Sequence, residues 1–238
     1  MSRRLALVTG GAVRLGEAIS LRLADAGYTV VVHAFANAAR ATTLADRIDG
    51  VPLTGDLSDR AVIDGLFEQI DALDGQLEVL INNAAIFESA EPEAVTEEMW
   101  DRHLALNLSA PFRCAQLAAP RMRAAGRGAI VNLLDISATK PYPGYSHYSA
   151  TKAGLEALTR GLAAAWAPTI RVNGVAPGAA LMPTWYSEPE RQARLQNIPM
   201  KAEPGAEAIA DTVHFLVDGP AGITGEIIAV DGGRNTVW

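Results

Sequence analysis

The run Tyr148-Ser-Ala-Thr-Lys152 puts a phenol and an ammonium four residues apart, on one face of a helix. A free tyrosine has a pKa near 10 and relays protons poorly at neutral pH. A cation about 4 Å away, at an effective dielectric near 20, favours the phenolate by roughly 4 kcal/mol, or about three pKa units at the upper limit. So tuned, the pair serves as proton donor and base near pH 7. This spacing also arises by chance on helices, so it needs a setting. A second feature supplies one: Thr9-Gly10-Gly11-Ala-Val-Arg14-Leu15-Gly16 follows an apolar run and opens a helix. Glycines there permit positive φ and close backbone approach, and a helix N-terminus offers unpaired N–H groups to a phosphate.

The elements that must position these groups follow from the apolar pattern. Short aliphatic runs at 5–8, 29–32, 51–53, 79–81, 129–131, 170–172 and 227–230 alternate with longer amphipathic stretches. Strands apolar on both faces, separated by helices, call for a parallel sheet covered on both sides. The expectation is an α/β, Rossmann-type doubly wound fold: one domain over residues 1–238, with seven parallel strands and helices on both faces. Leu15–Ala26 reads as a helix closed by Gly27. Residues 179–204, with Pro183, Trp185, Pro189 and Pro199, break the alternation and read as an irregular insertion. A substrate lid would sit there, with Met182 and Trp185 as candidate substrate contacts.

An NAD site would place an acid about 20 residues past the glycine loop to bond the ribose 2′-hydroxyl. Here the second strand runs into His33-Ala-Phe-Ala-Asn37-Ala-Ala-Arg40, and the first acid is Asp46. With no carboxylate to repel a 2′-phosphate, NADPH/NADP is expected over NAD, with His33, Asn37 and Arg40 as candidate contacts. A helix N-terminus carrying a solvated arginine fits Arg40 equally well. Asp56-Leu57 is placed to bond the adenine, or equally to cap the helix starting near Asp59.

Taken together, Thr9-Gly10 with Gly16, Asn82-Asn83-Ala84-Ala85, Asn107, Tyr148-x-x-x-Lys152, Arg171-Val-Asn173, Pro177-Gly178 and Val230-Asp231-Gly232-Gly233 resemble the short-chain dehydrogenases/reductases along essentially the whole chain. The resemblance implies NAD(P) at the carboxyl ends of the strands, against Gly10, Leu15, Gly16, Asn83, Ala84, Ala85, Pro177 and Gly178. It further implies Tyr148 as proton donor, Lys152 bonding the nicotinamide ribose, Asn107 supporting a relay water, and Asn83 stabilising the loop beside the cofactor. A homotetramer is the family's rule, and the apolar tail Asn235–Trp238 is compatible with burial between subunits or with an ordinary exposed terminus.

Two departures sharpen the resemblance. Where the family usually has serine, thirteen residues before the tyrosine, this chain has Asp135; where the loop's second glycine is usual, it has Arg14. Both substitutions are similar to the pteridine reductases and the bacterial dihydromonapterin and dihydrofolate reductases. That implies Asp135 paired with Tyr148, Arg14 reaching over the cofactor phosphates towards a pterin, and Phe87 covering the pterin ring. An arginine serving phosphate alone is the plainer account of Arg14, and a core phenylalanine the plainer account of Phe87. Asp135 either supplies a proton, its pKa raised by a dry site, or simply fixes the tyrosine. Two residues disagree with this subgroup: Ala36-Asn37 replaces its Arg-Ser pair after the second strand, and Ala85 replaces a frequent serine.

The expected activity is therefore NADPH-dependent reduction of a ring C=N in a pterin or folate-type substrate. The alternative is a general carbonyl reductase, of 3-oxoacyl or similar substrates, in which Asp135 is incidental. A non-catalytic dinucleotide sensor would need neither Tyr148 nor Lys152. The composition agrees with a small-molecule enzyme: 49% hydrophobic and 20% charged residues, net charge −7, and no cluster of basic residues, so nucleic acid is not an expected partner. No apolar run approaches the roughly 18 residues of a membrane span. The single cysteine, Cys114, excludes an internal disulfide or a multi-cysteine metal site and reads as a small buried apolar residue. A cytoplasmic location is expected, with no metal.

Overall fold

The computed structural model describes residues 3–178 and 187–237. The elements alternate: β1 (Arg4–Val8), α1 (Arg14–Asp25), β2 (Thr29–Ala34), α2 (Ala38–Arg47), β3 (Val51–Thr54), α3 (Arg60–Asp71), β4 (Gln76–Asn82), α4 (Glu97–Leu104), α5 (Ala110–Ala124), β5 (Gly128–Leu133), α6 (Ser146–Trp166), β6 (Ile170–Pro177), α7 (Glu188–Leu195), α8 (Gly205–Asp218) and β7 (Ile227–Val230). The seven strands form one sheet in the order β3-β2-β1-β4-β5-β6-β7, every pairing parallel. All seven expected strands are present and the doubly wound fold stands.

Alternation along the strands explains why helices cover both faces. In β1, Ala6 and Val8 join a core with Ile19 and Leu23 of α1 and Ile209, Val213 and Leu216 of α8. Their neighbours Leu5 and Leu7 face the other way, against Ile63, Leu66 and Phe67 of α3 and Cys114, Ala115 and Met122 of α5. Burial pushes the Cys114 thiol up to about 12, so it stays protonated in that core. Among the described residues no helix is long and apolar enough to cross a membrane.

The order reverses at β1, whose neighbours are β2 and β4. The crevice outside the carboxyl ends of these strands is where such sheets bind ligands. Every sequence feature with chemical promise lies at that end: the loop before α1, the segment after β4, Asp135 after β5, and Gly178 after β6.

Two expectations about punctuation are corrected. Residues 187–204 are less irregular than their prolines suggest, because α7 occupies Glu188–Leu195 with Pro189 in its first turn. Proline is favoured there, where its missing N–H costs nothing. Ser187 begins the helix, its backbone N–H donating to the Glu190 carboxylate at 2.8 Å. Asp59, not Asp56, caps α3, accepting from Ala61 N. Met182 and Trp185 lie outside the described residues.

Candidate active site

The loop between β1 and α1 is shaped for close approach. Gly10 has φ +61, and a Cβ on Gly16 would sit 2.0 Å from the Gly10 carbonyl oxygen. Only glycine fits at residue 16, so the turn tightens onto the first turn of α1. Asn83, just past β4, holds this turn: its Nδ2 donates to the carbonyls of Thr9 at 2.9 Å and Gly10 at 3.0 Å. Thr9 Oγ1 in return accepts from the N–H groups of Asn83 and Ala84. Asn83 thus has the bracing position expected of it, with Ala84 half-buried and Ala85 exposed beside it. Leu15 is half-buried and packs on the core beneath.

Arg14 is exposed and has φ +53, the left-handed region that glycine occupies without penalty. The arginine therefore holds a backbone conformation suited to glycine, at a cost of about 1–2 kcal/mol for a residue bearing a Cβ. Strain of this kind persists where the surroundings impose it, commonly at ligand sites.

At the adenosine end the structure redistributes the expected roles. His33 is buried, its Nδ1 accepting from Gly10 N at 3.2 Å and its Nε2 facing the Gly55 carbonyl at 3.0 Å. These partners assign a neutral ring protonated at Nε2, and burial lowers its pKa further. His33 is thus a tie between the glycine loop and the β3 end, not a cation presented to a 2′-phosphate. Asn37 caps α2, accepting from Arg40 N at 3.1 Å, and Arg40 is exposed on the first turn of that helix. Arg40 thus belongs to the first turn of a helix whose N-terminus Asn37 closes. Asp56 turns back on Ser58, accepting from its N–H and hydroxyl, while the Leu57 side chain is buried in the α3–α5 core.

At the other end, α6 carries Tyr148 and Lys152, both buried. Tyr148 Oη donates to Asp135 Oδ2 at 3.1 Å, and Asp135 Oδ1 accepts from Ser137 N at 2.7 Å. The expected pairing of tyrosine with aspartate is present. Lys152 Nζ lies 5.7 Å from the Tyr148 ring centroid and donates to the Leu133 carbonyl at 2.8 Å.

The electrostatics follow from that arrangement. Burial, then the Asp135 charge and hydrogen bond, hold the Tyr148 phenol well above its ordinary pKa, opposite to the depression that spacing alone suggested. Burial also raises Asp135, against the pull of the Ser137 N–H and Lys152, and lowers Lys152 to about 8. Spacing on the helix overestimated the lysine because it omits desolvation, which disfavours every charge in this pocket. The set is a protonated phenol on a carboxyl whose pKa burial raises, beside an ammonium that titrates in the neutral-to-alkaline range.

Asn107 lies in a π-helical segment, Ala105–Ser109, between α4 and α5. Wider turns of this kind occur often at functional sites. Its amide clasps Ile86 from both sides, Oδ1 accepting from Ile86 N at 2.9 Å and Nδ2 donating to Ile86 O at 3.0 Å. That clasp fixes the segment after β4 and so presents Phe87. Phe87 is 51% exposed, with one face stacked on Tyr145 at 4.2 Å and an edge contact to Tyr148 at 4.7 Å. It belongs to the rim of the site and not to the core. Pro177 is buried at the end of β6; at Gly178 a Cβ would meet the Asp231 Cβ at 2.6 Å, so that strand end also requires glycine.

Sequence reasoning missed two aromatic residues. Tyr145, three before Tyr148, lies under Phe87; burial, then the Asp135 charge, raises the pKa of Tyr142. The helical spacing of Tyr145 and Tyr148 was a usable signal. Tyr142 precedes α6, where no periodicity applies. Among the described residues no group of three His, Cys, Asp or Glu side chains converges as a metal site would require.

Comparison with known proteins fits this geometry. A family model described as enoyl-(acyl carrier protein) reductase matches residues 11–235. The 3-oxoacyl-[acyl-carrier-protein] reductase FabG of Staphylococcus aureus strain Mu50 is 34% identical over 237 residues, covering 96% of each chain. The FabG of Thermotoga maritima is 32% identical over 239 residues, covering 97% of each. Among solved structures, FolM alternative dihydrofolate reductase 1 from Brucella canis, complexed with NADP, superposes with a TM-score of 0.92 at 31% identity, covering 99% of this chain and 95% of that one. With the sheet order, the braced glycine loop and the Tyr148–Lys152 helix all in place, the chain belongs to the short-chain dehydrogenase/reductase family of oxidoreductases.

Proposed function

We propose that this protein is an NADPH-dependent reductase of pterin or folate-type substrates, reducing a ring C=N. The observation that carries the reading is the Tyr148–Asp135 hydrogen bond of 3.1 Å at the end of β5. A ketone offers only an acceptor and suits a serine hydroxyl, whereas a pterin edge presents N–H and NH₂ donors that a carboxyl can accept. The left-handed Arg14 follows β1 and the half-exposed Phe87 follows β4, neighbouring strands whose carboxyl ends face the same side of the sheet, and FolM, bound to NADP, shares the fold.

The residues present fit a dinucleotide. Gly10 and Gly16 clear the backbone at the N-terminus of α1, where N–H groups suit a pyrophosphate, and Arg14 adds a cation there. Past β2 no carboxylate opposes a 2′-phosphate, and Arg40 stands exposed on the first turn of α2. Lys152, buried one turn along α6 from Tyr148, is the residue assigned to the nicotinamide ribose on this reading. When bound, the cofactor supplies the hydride.

The chain supplies the proton and the orientation. Tyr148 Oη, held protonated by burial and Asp135, gives its proton to the ring nitrogen as the adjacent carbon is reduced. Asp135, raised by burial, accepts the Tyr148 hydroxyl in the resting site, and a proton taken up by its carboxyl from solvent is then passed across the same oxygen pair to restore the phenol. Lys152, protonated below about 8, stabilises the phenolate formed in between. Phe87 on Tyr145 offers a flat wall for an aromatic ring.

A second reading, a 3-oxoacyl reductase, is favoured by the FabG relatives at 32–34% identity. One experiment separates the two. NADPH oxidation is followed with a 7,8-dihydropterin, dihydrofolate and a 3-oxoacyl thioester, using wild type and Asp135→Ser in parallel. Pterin or folate turnover that falls about 100-fold or more in the variant is the expected result, since losing a positioned acid or base costs roughly 10²–10⁴. Turnover of the thioester alone, unchanged or improved by serine, refutes the pterin reading.

A further inference from the structure

One residue of β2 holds the glycine loop at two points. His33 is 1% exposed; its Nδ1 accepts from Gly10 N at 3.2 Å and its carbonyl accepts from Gly11 N at 2.8 Å. Its Nε2 meets the Gly55 carbonyl at 3.0 Å, just past the end of β3. The loop carbonyls are engaged as well, those of Thr9 and Gly10 by Asn83 Nδ2 and that of Gly11 by the Ser20 hydroxyl of α1 at 3.0 Å. What the loop leaves to a pyrophosphate is the N–H groups of the first turn of α1, which no helix satisfies internally. The aim of that turn follows from how Gly10 and Gly11 are held. Of the side chains that hold them, Asn83, Ser20 and His33, only His33 titrates near neutrality.

We infer that His33 is a positioning residue for the dinucleotide: its neutral ring holds the loop in the binding conformation, a proton on Nδ1 releases it, and cofactor binding therefore opposes protonation of His33. This rests on a dinucleotide binding at the glycine loop and is independent of the substrate reduced. A neutral imidazole has one acceptor nitrogen and an imidazolium has none. Protonation at Nδ1 turns a donor on the Gly10 N–H, and two hydrogens do not fit within the 3.2 Å between those nitrogens. The free protein relieves the clash by displacing the loop at Gly10, whose backbone, at φ +61, has glycine's freedom. A seated dinucleotide removes that freedom, so the bound form takes the proton less readily. By linkage, the protonated form then binds the dinucleotide less tightly.

Two opposed influences set the pH at which this happens. Burial disfavours the imidazolium, whereas the Asp56 carboxylate, the charged group facing the ring from the β3 end, favours it. The Gly55 carbonyl asks for a proton on Nε2, which the neutral tautomer already supplies. Burial is the larger influence, so the ring titrates below its ordinary 6.5 and the loss of affinity falls on the acid side of that value.

The test uses the full-length protein and NADP⁺, which survives acid, with wild type, His33→Asn and His33→Leu. Isothermal titration calorimetry from pH 5 to 8 gives Kd, and buffers of different ionisation enthalpy give the protons released on binding. Asparagine keeps an acceptor at the position of Nδ1 and cannot be charged; leucine keeps neither. The 2′-phosphate titrates in the same range with every variant, so proteins are compared with one another at each pH. At pH 7.5 His33→Asn is expected within about threefold of wild type and His33→Leu about tenfold weaker, the cost of stranding one donor. Below about pH 6 the wild-type Kd is expected to rise relative to that of His33→Asn, approaching about tenfold per pH unit, with up to about one extra proton released on binding. Parallel Kd profiles in wild type and His33→Asn overturn the coupling. His33→Leu equal to wild type at pH 7.5, or His33→Asn as weak as His33→Leu, overturns the positioning role. If His33→Leu does not fold, the wild-type and His33→Asn profiles decide alone. NADP⁺ bound by none of the proteins at any pH refutes the dinucleotide reading itself, and the inference falls with it.

Discussion

Replacing Arg14 by glycine should stabilise the fold and weaken the site at once. Arg14 holds φ +53 at the start of α1. Left-handed backbone costs a residue with a Cβ about 1–2 kcal/mol, and glycine removes that cost. Glycine also loses about 0.4–1 kcal/mol through the greater freedom of its unfolded chain. The difference is a net stabilisation of roughly 0–1.6 kcal/mol, centred near 0.8, which for a chain of this size corresponds to about 2–3 °C in Tm at the centre. Losing a charged hydrogen bond to a phosphate costs about 1.5–3 kcal/mol, or roughly 10–100-fold in NADPH Kd. Arg14→Ala separates the two effects, because alanine keeps the strained backbone and loses the guanidinium. Its Tm should not rise, while its Kd should match that of Arg14→Gly. Differential scanning fluorimetry and fluorescence titration with NADPH read both quantities. Unchanged NADPH Kd and substrate KM in Arg14→Gly would refute the account of Arg14 as a ligand, and a lowered Tm would refute the account of its strain.

Two further outcomes concern the frame of the site. Gly16→Ala should cost about 3 kcal/mol or more, because its Cβ would meet the Gly10 carbonyl oxygen at 2.0 Å and both the loop and α1 would have to move; urea denaturation reads this as a lowered midpoint at unchanged m. Asp135→Asn should gain stability relative to wild type as pH rises from 4 to 7. The folded carboxyl is raised above its unfolded value of about 3.8, so the native state binds more protons and wild-type stability falls as pH rises through that window, a loss the amide does not suffer. A Tm difference that is flat with pH, or that runs the other way, would show that Asp135 is not desolvated as described.

The fold was legible because its signal is local and repeated. Leu5, Ala6, Leu7 and Val8 declare a strand buried on both faces without reference to anything distant. The glycine loop and its Asn83 brace were legible through their order along the chain. What escaped was anything set by burial from remote elements. Spacing placed Lys152 near Tyr148 but could not show that desolvation outweighs the ammonium, nor that Lys152 turns to the Leu133 carbonyl. His33 read as a candidate cofactor contact at a strand end, yet its ring is buried between the glycine loop and Gly55 and bonds to both. The helix α7 was hidden by reading Pro189 as a breaker, although Ser187 three residues before Glu190 is a helix-start signature in which a proline is at home.

Overall similarity does not choose a substrate for this chain, since a 3-oxoacyl reductase at 34% identity and a dihydrofolate reductase at 31% share the same frame. The two positions that depart from the family's usual pattern are also two positions that cost the fold something. Arg14 bears a side chain where the backbone suits glycine, and Asp135 places a carboxyl where burial opposes its charge. A residue drifting without function would more readily settle on a type that its local environment tolerates, such as glycine at the first and serine at the second. Both lie at the carboxyl end of the sheet, where the strands β1 and β5 deliver their loops to one crevice. On the proposed reading two molecules answer the two costs: the cofactor's phosphates answer the arginine, and the substrate's N–H edge answers the carboxyl. A ketone reductase using the same cofactor would answer the arginine but not the carboxyl, so the substitution at 135 bears more directly on the substrate than the 30% or so of positions that the relatives share.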